Sequence, residues 1–303
     1  MTENFAGFAY INCHYPPVAW NIARGIFHSP DCLDASERGF AISVSMASML
    51  ANSSVERLLA EFRLEDVRQH YYPHQVSRLR GLFVFDEIES MANLWENNNW
   101  GGHFIDEYIT DIGVSCRKSS RVDSNWISDI VDQNGKLKPL WEYCAHRYWS
   151  GVAHPDKEPI WERIVEGAII IWSMDVKQEA LRDIQAVWPN SLGLLSHSIN
   201  CASYGSIDGE VFPGWRRTEN GISLVYAMRL VESQSAEFIQ NLEAFIGTNP
   251  ALGANLGSGF QTPDLQGYFV DLEANDSSMF NQFIREIWSR GEAPNLVMST
   301  SGA

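Results

Sequence analysis

Basic residues are scarce in this chain: Lys and Arg total 22 against 38 Asp and Glu, a formal charge of −16 over 303 residues. Affinity for a nucleic-acid backbone rests on basic groups that displace counterions, so an extended duplex along the surface is excluded as a partner. Cysteine is sparse too. The five are Cys13, Cys32, Cys116, Cys144 and Cys201, odd in number and without a CxxC pair. With an opening MTENFAGFAY that has no basic start, apolar run or small-residue cleavage site, this predicts a reduced, cytoplasmic protein. Long apolar runs are missing. The most apolar stretch, Ala168 to Trp172, falls far short of the roughly 20 residues a bilayer span needs, which predicts no membrane anchor. There is no GxSxG, no helical HExxH and no repeat of usable period.

What is present is an ordinary apolar fraction of 45% with 12% aromatics, enough to bury a core. Eleven tryptophans place indoles at grooves or interfaces as well as inside. The length allows one large domain or two medium ones.

Along the chain, Gly7–Cys13 reads as a strand ending at the Tyr15-Pro16-Pro17 bend, and Val18–Phe27 as a short helix. Gly39–Val44 reads as a strand and Ser53–Phe62 as a helix with Val55, Leu58, Leu59 and Phe62 on one stripe. Leu79–Phe85 is aromatic and branched, a strand pattern, and Asp86 caps a helix over Glu87–Trp95. Asn97–Gly102 is a loop, Phe104–Val114 an extended segment, and Cys116–Lys138 a polar connection with a turn at Asn134-Gly135. Leu140–Arg147 is regular, and Ile160–Trp172 reads as two strands hinged at Glu166-Gly167. Beyond about residue 175 the pattern changes. Helices over Gln178–Val187, Ala236–Ile246 and Ser277–Trp288 alternate with strands over Gly221–Val231 and Tyr268–Leu272, and Thr248–Gln261 forms a long glycine-rich loop. The expected fold class is therefore α+β in two domains, 1–175 and a smaller α/β unit over 176–303.

The richest stretch lies between Arg78 and Gly167. In SRLRGLFVFD, strand alternation would place Arg78, Arg80, Leu82 and Val84 on one face and Phe83 on the other, giving a two-arginine fork for phosphate or two solvated arginines paired with surface acids. Glu162 and Glu166 share a face of the next candidate strand. One of them before Gly167 could stabilise a developing cation or activate a hydroxyl or amine, although a solvated strand residue has the same pattern. Tyr148, Trp149 and Ser150 offer rings for stacking and a hydroxyl for positioning; Trp149 serves equally as core. His28 with Cys32 and His14 with Cys13 fall short of a zinc set, which needs three or four convergent ligands. The glycines of 253–259 lack the strand before and the helix after that a dinucleotide loop requires. The segment Ile207–Arg217, with carboxylates, Trp215, Arg216 and Arg217, reads as a loop that either contacts a sugar or anionic peptide or simply anchors itself to the domain.

An N-terminal strand with a His, an Arg-rich aromatic strand, a Tyr-Trp-Ser-Gly strand and a late glutamate before a glycine turn resemble the ADP-ribosyltransferase fold over about residues 5–175. The resemblance implies a split-sheet cleft for NAD as co-substrate and transfer of ADP-ribose to a protein or small-molecule acceptor with loss of nicotinamide. His14 or one of Arg78 and Arg80 would hold NAD, with Phe83 and Trp149 as aromatic contacts. Tyr148 or Ser150 would support the nicotinamide site and Glu162 would promote transfer. The family's Ser-Thr-Ser run and Glu-x-Glu are missing here, and His14 sits at the proline bend. A non-catalytic two-domain interaction protein and a carbohydrate-binding or carbohydrate-active protein are the competing readings.

Overall fold

A computed structural model describes residues 2–38, 41–51, 53–96, 106–217, 221–247, 261–268 and 270–273. Strand β1 (Glu3–Tyr10) leads through the Tyr15-Pro16-Pro17 bend into helix α1 (Pro16–Arg24), where two prolines suit the first turn and Gly25 ends the helix at φ 100°. Helix α1 is buried almost throughout, with Trp20 and Ile22 fully enclosed. Strand β2 (Ile26–His28), helix α2 (Ala35–Arg38), helix α3 (Val44–Ala51) and helix α4 (Val55–Tyr71) follow. The Ser54 side chain caps α4 by accepting from the Arg57 amide at 3.3 Å. Then come β3 (Leu82–Val84), α5 (Ile88–Glu96), β4 (Ile109–Asp123), α6 (Asn125–Ile130), α7 (Trp141–Trp149) and β5 (Trp161–Ile171). The chain continues with α8 (Met174–Val187), α9 (Leu192–Tyr204), β6 (Val211–Arg217), β7 (Gly221–Met228), α10 (Ala236–Gly247) and β8 (Val270–Glu273).

The five-stranded sheet is antiparallel and centred on β5. One edge of β5 pairs with β4 along its whole length, and β1 lies beyond β4. The other edge is shared: β3 takes Arg163 to Val165 and β2 takes Ala168 to Ile170. Glu166 and Gly167 sit at the junction between them. Ser29, just past β2, closes the junction by donating its amide to Gly167 O at 2.8 Å and accepting from Gly167 N at 3.0 Å through its hydroxyl. A Cβ on Gly167 would fall 2.5 Å from Cys116 Cα and against the Ser115 carbonyl, all backbone of β4. Gly167→Ala is therefore expected to destabilise the protein by about 1–3 kcal/mol, read as a lowered denaturation midpoint at unchanged slope.

The second sheet, β6-β7-β8, is antiparallel and tied to the first unit through α1. Asn21 exchanges two hydrogen bonds with Val211, at 2.7 and 2.9 Å, and Trp20 Nε1 donates to Gly209 O at 2.8 Å. One apolar core joins Trp20, Ile22, Val165 and Ile169 to Ala180, Ile184, Leu194, Val211 and Leu224, so buried packing runs across the position where the sequence pattern changes. A second core, with Leu64, Val76, Val122, Trp149 and Ile164, lies between α4, α7 and the sheet. Among the described residues no helix is long and apolar enough to cross a membrane.

The architecture is mixed α+β with two sheets. Several local expectations differ. The Tyr148-Trp149-Ser150 stretch is the end of helix α7 rather than a strand, because Tyr148, Trp149, Ala145 and Cys144 make one buried helical face. Residues Ile160–Trp172 hold one continuous strand, as β4 pairs with it on both sides of Gly167 and takes up the irregularity itself, in a bulge at Arg117 opposite Glu166-Gly167. The polar connection from Cys116 contains the second half of β4, because Val122 and Ser120 point into the core beneath a polar outer face. Around Gly39–Val44 the structure has an isolated bridge at Ala41 and the start of α3, and Val211–Arg217 is strand β6 rather than loop. The 97–102 loop, the glycine-rich 253–259 segment and the Ser277–Trp288 helix lie outside the described residues.

Candidate functional site

The strand at Leu79–Phe85 is shorter than its pattern implies: it starts at Leu82, and residues before it form a turn closed by Gly81 N donating to Ser77 O at 2.7 Å. This breaks the alternation that would put Arg78 and Arg80 on one face. Arg78 turns inward and is 3% exposed, whereas Arg80 lies on the outer side of the turn near Asp31, at 3.8 Å.

Arg78 is the hub of a buried polar network. Its Nε and Nη2 fork onto the two carboxylate oxygens of Glu61 on α4, at 2.8 and 3.3 Å. Arg57, one turn earlier, donates to the same carboxylate at 2.6 Å. The other arm of Arg78, Nη1, donates to the Tyr148 hydroxyl at 2.5 Å and lies 3.4 Å from Glu162 Oε1. The Tyr148 hydroxyl in turn donates to Glu162 at 3.2 Å. The guanidinium also lies 4.8 Å from the Phe83 ring centre and 5.3 Å from that of Tyr148. Four elements thus converge: α4, the turn before β3, the end of α7 and the start of β5.

The two carboxylates of this network differ in kind. Burial pushes both upward, but for Glu61 the nearby Arg78 and Arg57 outweigh it and hold the carboxyl below its ordinary range. For Glu162 burial wins, since Arg78 and the Tyr148 hydroxyl offset only part of it and Glu61 and Asp123 add repulsion. Burial opposes the charge of Arg78 as well, yet Glu61, Tyr148 and Glu162 keep it firmly protonated. The Tyr148 phenol is pushed well up by burial, so it remains a neutral donor to Glu162. The side chain of Glu162 is 8% exposed, against 3% for Arg78 and none for Glu61, while Arg57 at the other end of the network is 14% exposed. A buried carboxyl with a raised proton affinity is equipped to take or give a proton.

The sequence candidates divide accordingly. Arg78, Phe83, Tyr148 and Glu162 come together. Trp149 is fully buried with its indole N–H bonded to Leu64 O at 2.9 Å, which makes it a core residue of the α4–α7 interface and not a ligand contact. Ser150 is exposed beyond α7, and its hydroxyl bonds back to Arg147 O at 2.8 Å. Neither flanks Glu162, because the helical turn that points Tyr148 inward sends its neighbours elsewhere. His14 is distant in the fold from this network. It pairs with Asp183 of α8 at 2.8 Å, and with Glu179 it forms a set whose ligating atoms lie within 4.8 Å, one a divalent cation could use. Arg80 sits at the β2–β3 junction instead, where Asp31, Arg117 and Glu166 gather; Arg117 bonds Asp31 O at 2.8 Å and Glu166 at 3.2 Å.

His28 and Cys32 do not share a ligand: His28 bonds Glu210 at 2.6 Å and the Cys32 thiol points to Gly167 O. Within 207–217, Glu210 is buried against Arg24 and His28, and Trp215 packs on Phe62 at 5.5 Å, which makes that segment an anchor. The network members missing from the sequence reading are Glu61 and its partner Arg57, of which Glu61 is the inward one. Its signal was present as an acid spaced three residues from Leu58 and Leu64 on the inward side of α4.

Residues 33–179 match the family model described as "Protein of unknown function (DUF2441)". That stretch contains Glu61, Arg78, Phe83, Tyr148 and Glu162, and leaves out His14. A comparison with curated proteins gives no match.

Proposed function

We propose that the protein transfers ADP-ribose from NAD to a protein or small-molecule acceptor, with Glu162 as the reacting carboxyl. The observation that carries this reading is the convergence of Glu162 at the start of β5, Tyr148 at the end of α7, Phe83 of β3 and Arg78 of the turn before it. In this reading Glu162 faces the sugar carbon that becomes electron-poor as the bond to nicotinamide breaks, and takes the proton of the attacking acceptor. Tyr148 holds the carboxyl in place through its hydroxyl. Phe83, half-buried beside Arg78, supplies a stacking face. Arg78, with one whole side committed to Glu61, serves as an electrostatic brace and not as a pyrophosphate clamp. Arg80, a quarter exposed at the strand junction, is better placed for phosphate.

NAD binding is tested by thermal denaturation of the full chain. Saturation to 100 times the dissociation constant stabilises a folded protein by about 2.7 kcal/mol, so a concentration-dependent rise in Tm is expected with NAD. A non-catalytic interaction protein built on the same buried network would show no rise at millimolar NAD, and that result would reject the transferase reading.

A further inference from the structure

The chain enters helix α1 through a bend whose backbone is fixed at several points. The Ile11 amide donates to Tyr108 O at 2.8 Å, the His14 amide to Asn12 Oδ1 at 3.0 Å, and the Val18 and Ala19 amides to Tyr15 O at 2.8 Å. The bend carries the His14 imidazole to the surface, where it stands at 60° to the Tyr108 ring with centroids 6.1 Å apart. Facing it is α8. That helix buries Ala180 and Ile184 in the main core, so Glu179 and Asp183, each one residue earlier, form a second pair one turn apart on the flank of that stripe.

Two carboxylates one turn apart repel, and the pair is favourable only when a cation meets both. Arg182 takes Glu179 Oε2 at 2.6 Å, which leaves that carboxylate a second oxygen. His14 Nδ1 lies 2.8 Å from Asp183 Oδ2. The imidazole nitrogen and one oxygen from each acid all lie within 4.8 Å of one another. Nitrogen and oxygen ligands of a tetrahedral zinc ion stand about 3.4 Å apart, so closing the set needs a shift of about 1 Å in the Glu179 side chain. His14 is 43% exposed and Asp183 29%, so a cation reaches the three groups directly from solvent.

We propose that His14, Glu179 and Asp183 bind a divalent cation of the zinc class, which ties the bend to helix α8 across 169 residues of chain. One imidazole with two carboxylates suits Zn²⁺ and its first-row neighbours better than Mg²⁺ or Ca²⁺, which favour sets made of oxygen alone. To ligate, Nδ1 exchanges its hydrogen bond with Asp183 for the cation, and the ring carries its proton on Nε2. Three protein ligands leave the fourth position to water. The site uses none of the residues around Glu162 and stands whether or not NAD binds.

Calorimetric titration of the chelator-treated full chain with Zn²⁺ tests it, with Mg²⁺ as the oxygen-preferring control. One equivalent of Zn²⁺ is expected to bind at micromolar concentration and to raise Tm, because only the folded chain brings residue 14 to residues 179 and 183. His14→Ala and Asp183→Asn should each weaken binding about tenfold or more, with the metal-free Tm little changed. His74→Ala, which removes an exposed histidine elsewhere, should leave binding as it is. Absence of saturable Zn²⁺ binding, equal binding of Mg²⁺, or binding at full strength in His14→Ala would overturn the assignment.

Discussion

Arg78→Ala is expected to lower the folding free energy by about 3–5 kcal/mol, the largest loss from any single substitution considered in this protein. The argument rests on what remains. Without the guanidinium, Glu61 keeps only Arg57, and Glu162 keeps only the Tyr148 hydroxyl, with both carboxyls still out of water. Removing one partner of a buried ion pair is costly because it strands the other charge, whatever the net contribution of the intact pair. Arg78→Lys retains charge but cannot fork onto both Glu61 oxygens while reaching Tyr148, so it should fall between wild type and Arg78→Ala. Urea denaturation checks the order, and a loss below about 1 kcal/mol for Arg78→Ala would show that water replaces the guanidinium easily.

Glu162→Gln should behave in the opposite way. The fold raises the proton affinity of Glu162 above that of the unfolded chain, so its favourable contribution is present below the ordinary carboxylate range and is lost as pH rises through the raised value. At neutral pH the ionised carboxyl is therefore a cost, and the amide removes that cost while still accepting from Tyr148. The variant is expected to match or exceed wild-type stability at neutral pH, with the difference closing as pH falls. Glu61→Gln has the reverse sign: its carboxyl is held down by Arg78 and Arg57, its contribution is present above the ordinary range, and that contribution disappears in acid. A residue that the fold tolerates at a cost, beside one that the fold needs, is what separates a reacting group from a structural one.

The pieces of the site that the sequence showed are those with strong local patterns. Glu162 stands out in the β-branched run that becomes β5, and Tyr148 and Phe83 stand out as aromatics beside charges. Secondary structure at Tyr148-Trp149 was harder to read because a short run of aromatics suits a strand as well as one face of a helix, and only packing on α4 and β4 decides it. Arg78 and Arg80 separated because Gly81 permits a tight turn where strand propensity alone continues. Glu61 and the shared edge of β5 are products of long-range contact: Glu61 meets Arg78 across 17 residues, and β2 reaches β5 across more than a hundred. No local window holds that information.

The most direct test of the account is release of nicotinamide from NAD by the purified full chain, followed beside its Glu162→Gln variant. The account predicts steady release by wild type and a loss of about a hundredfold or more in the variant, which stays folded at neutral pH. Equal release by both proteins, or none by wild type under conditions where NAD raises its Tm, would contradict the placing of the reacting carboxyl at Glu162.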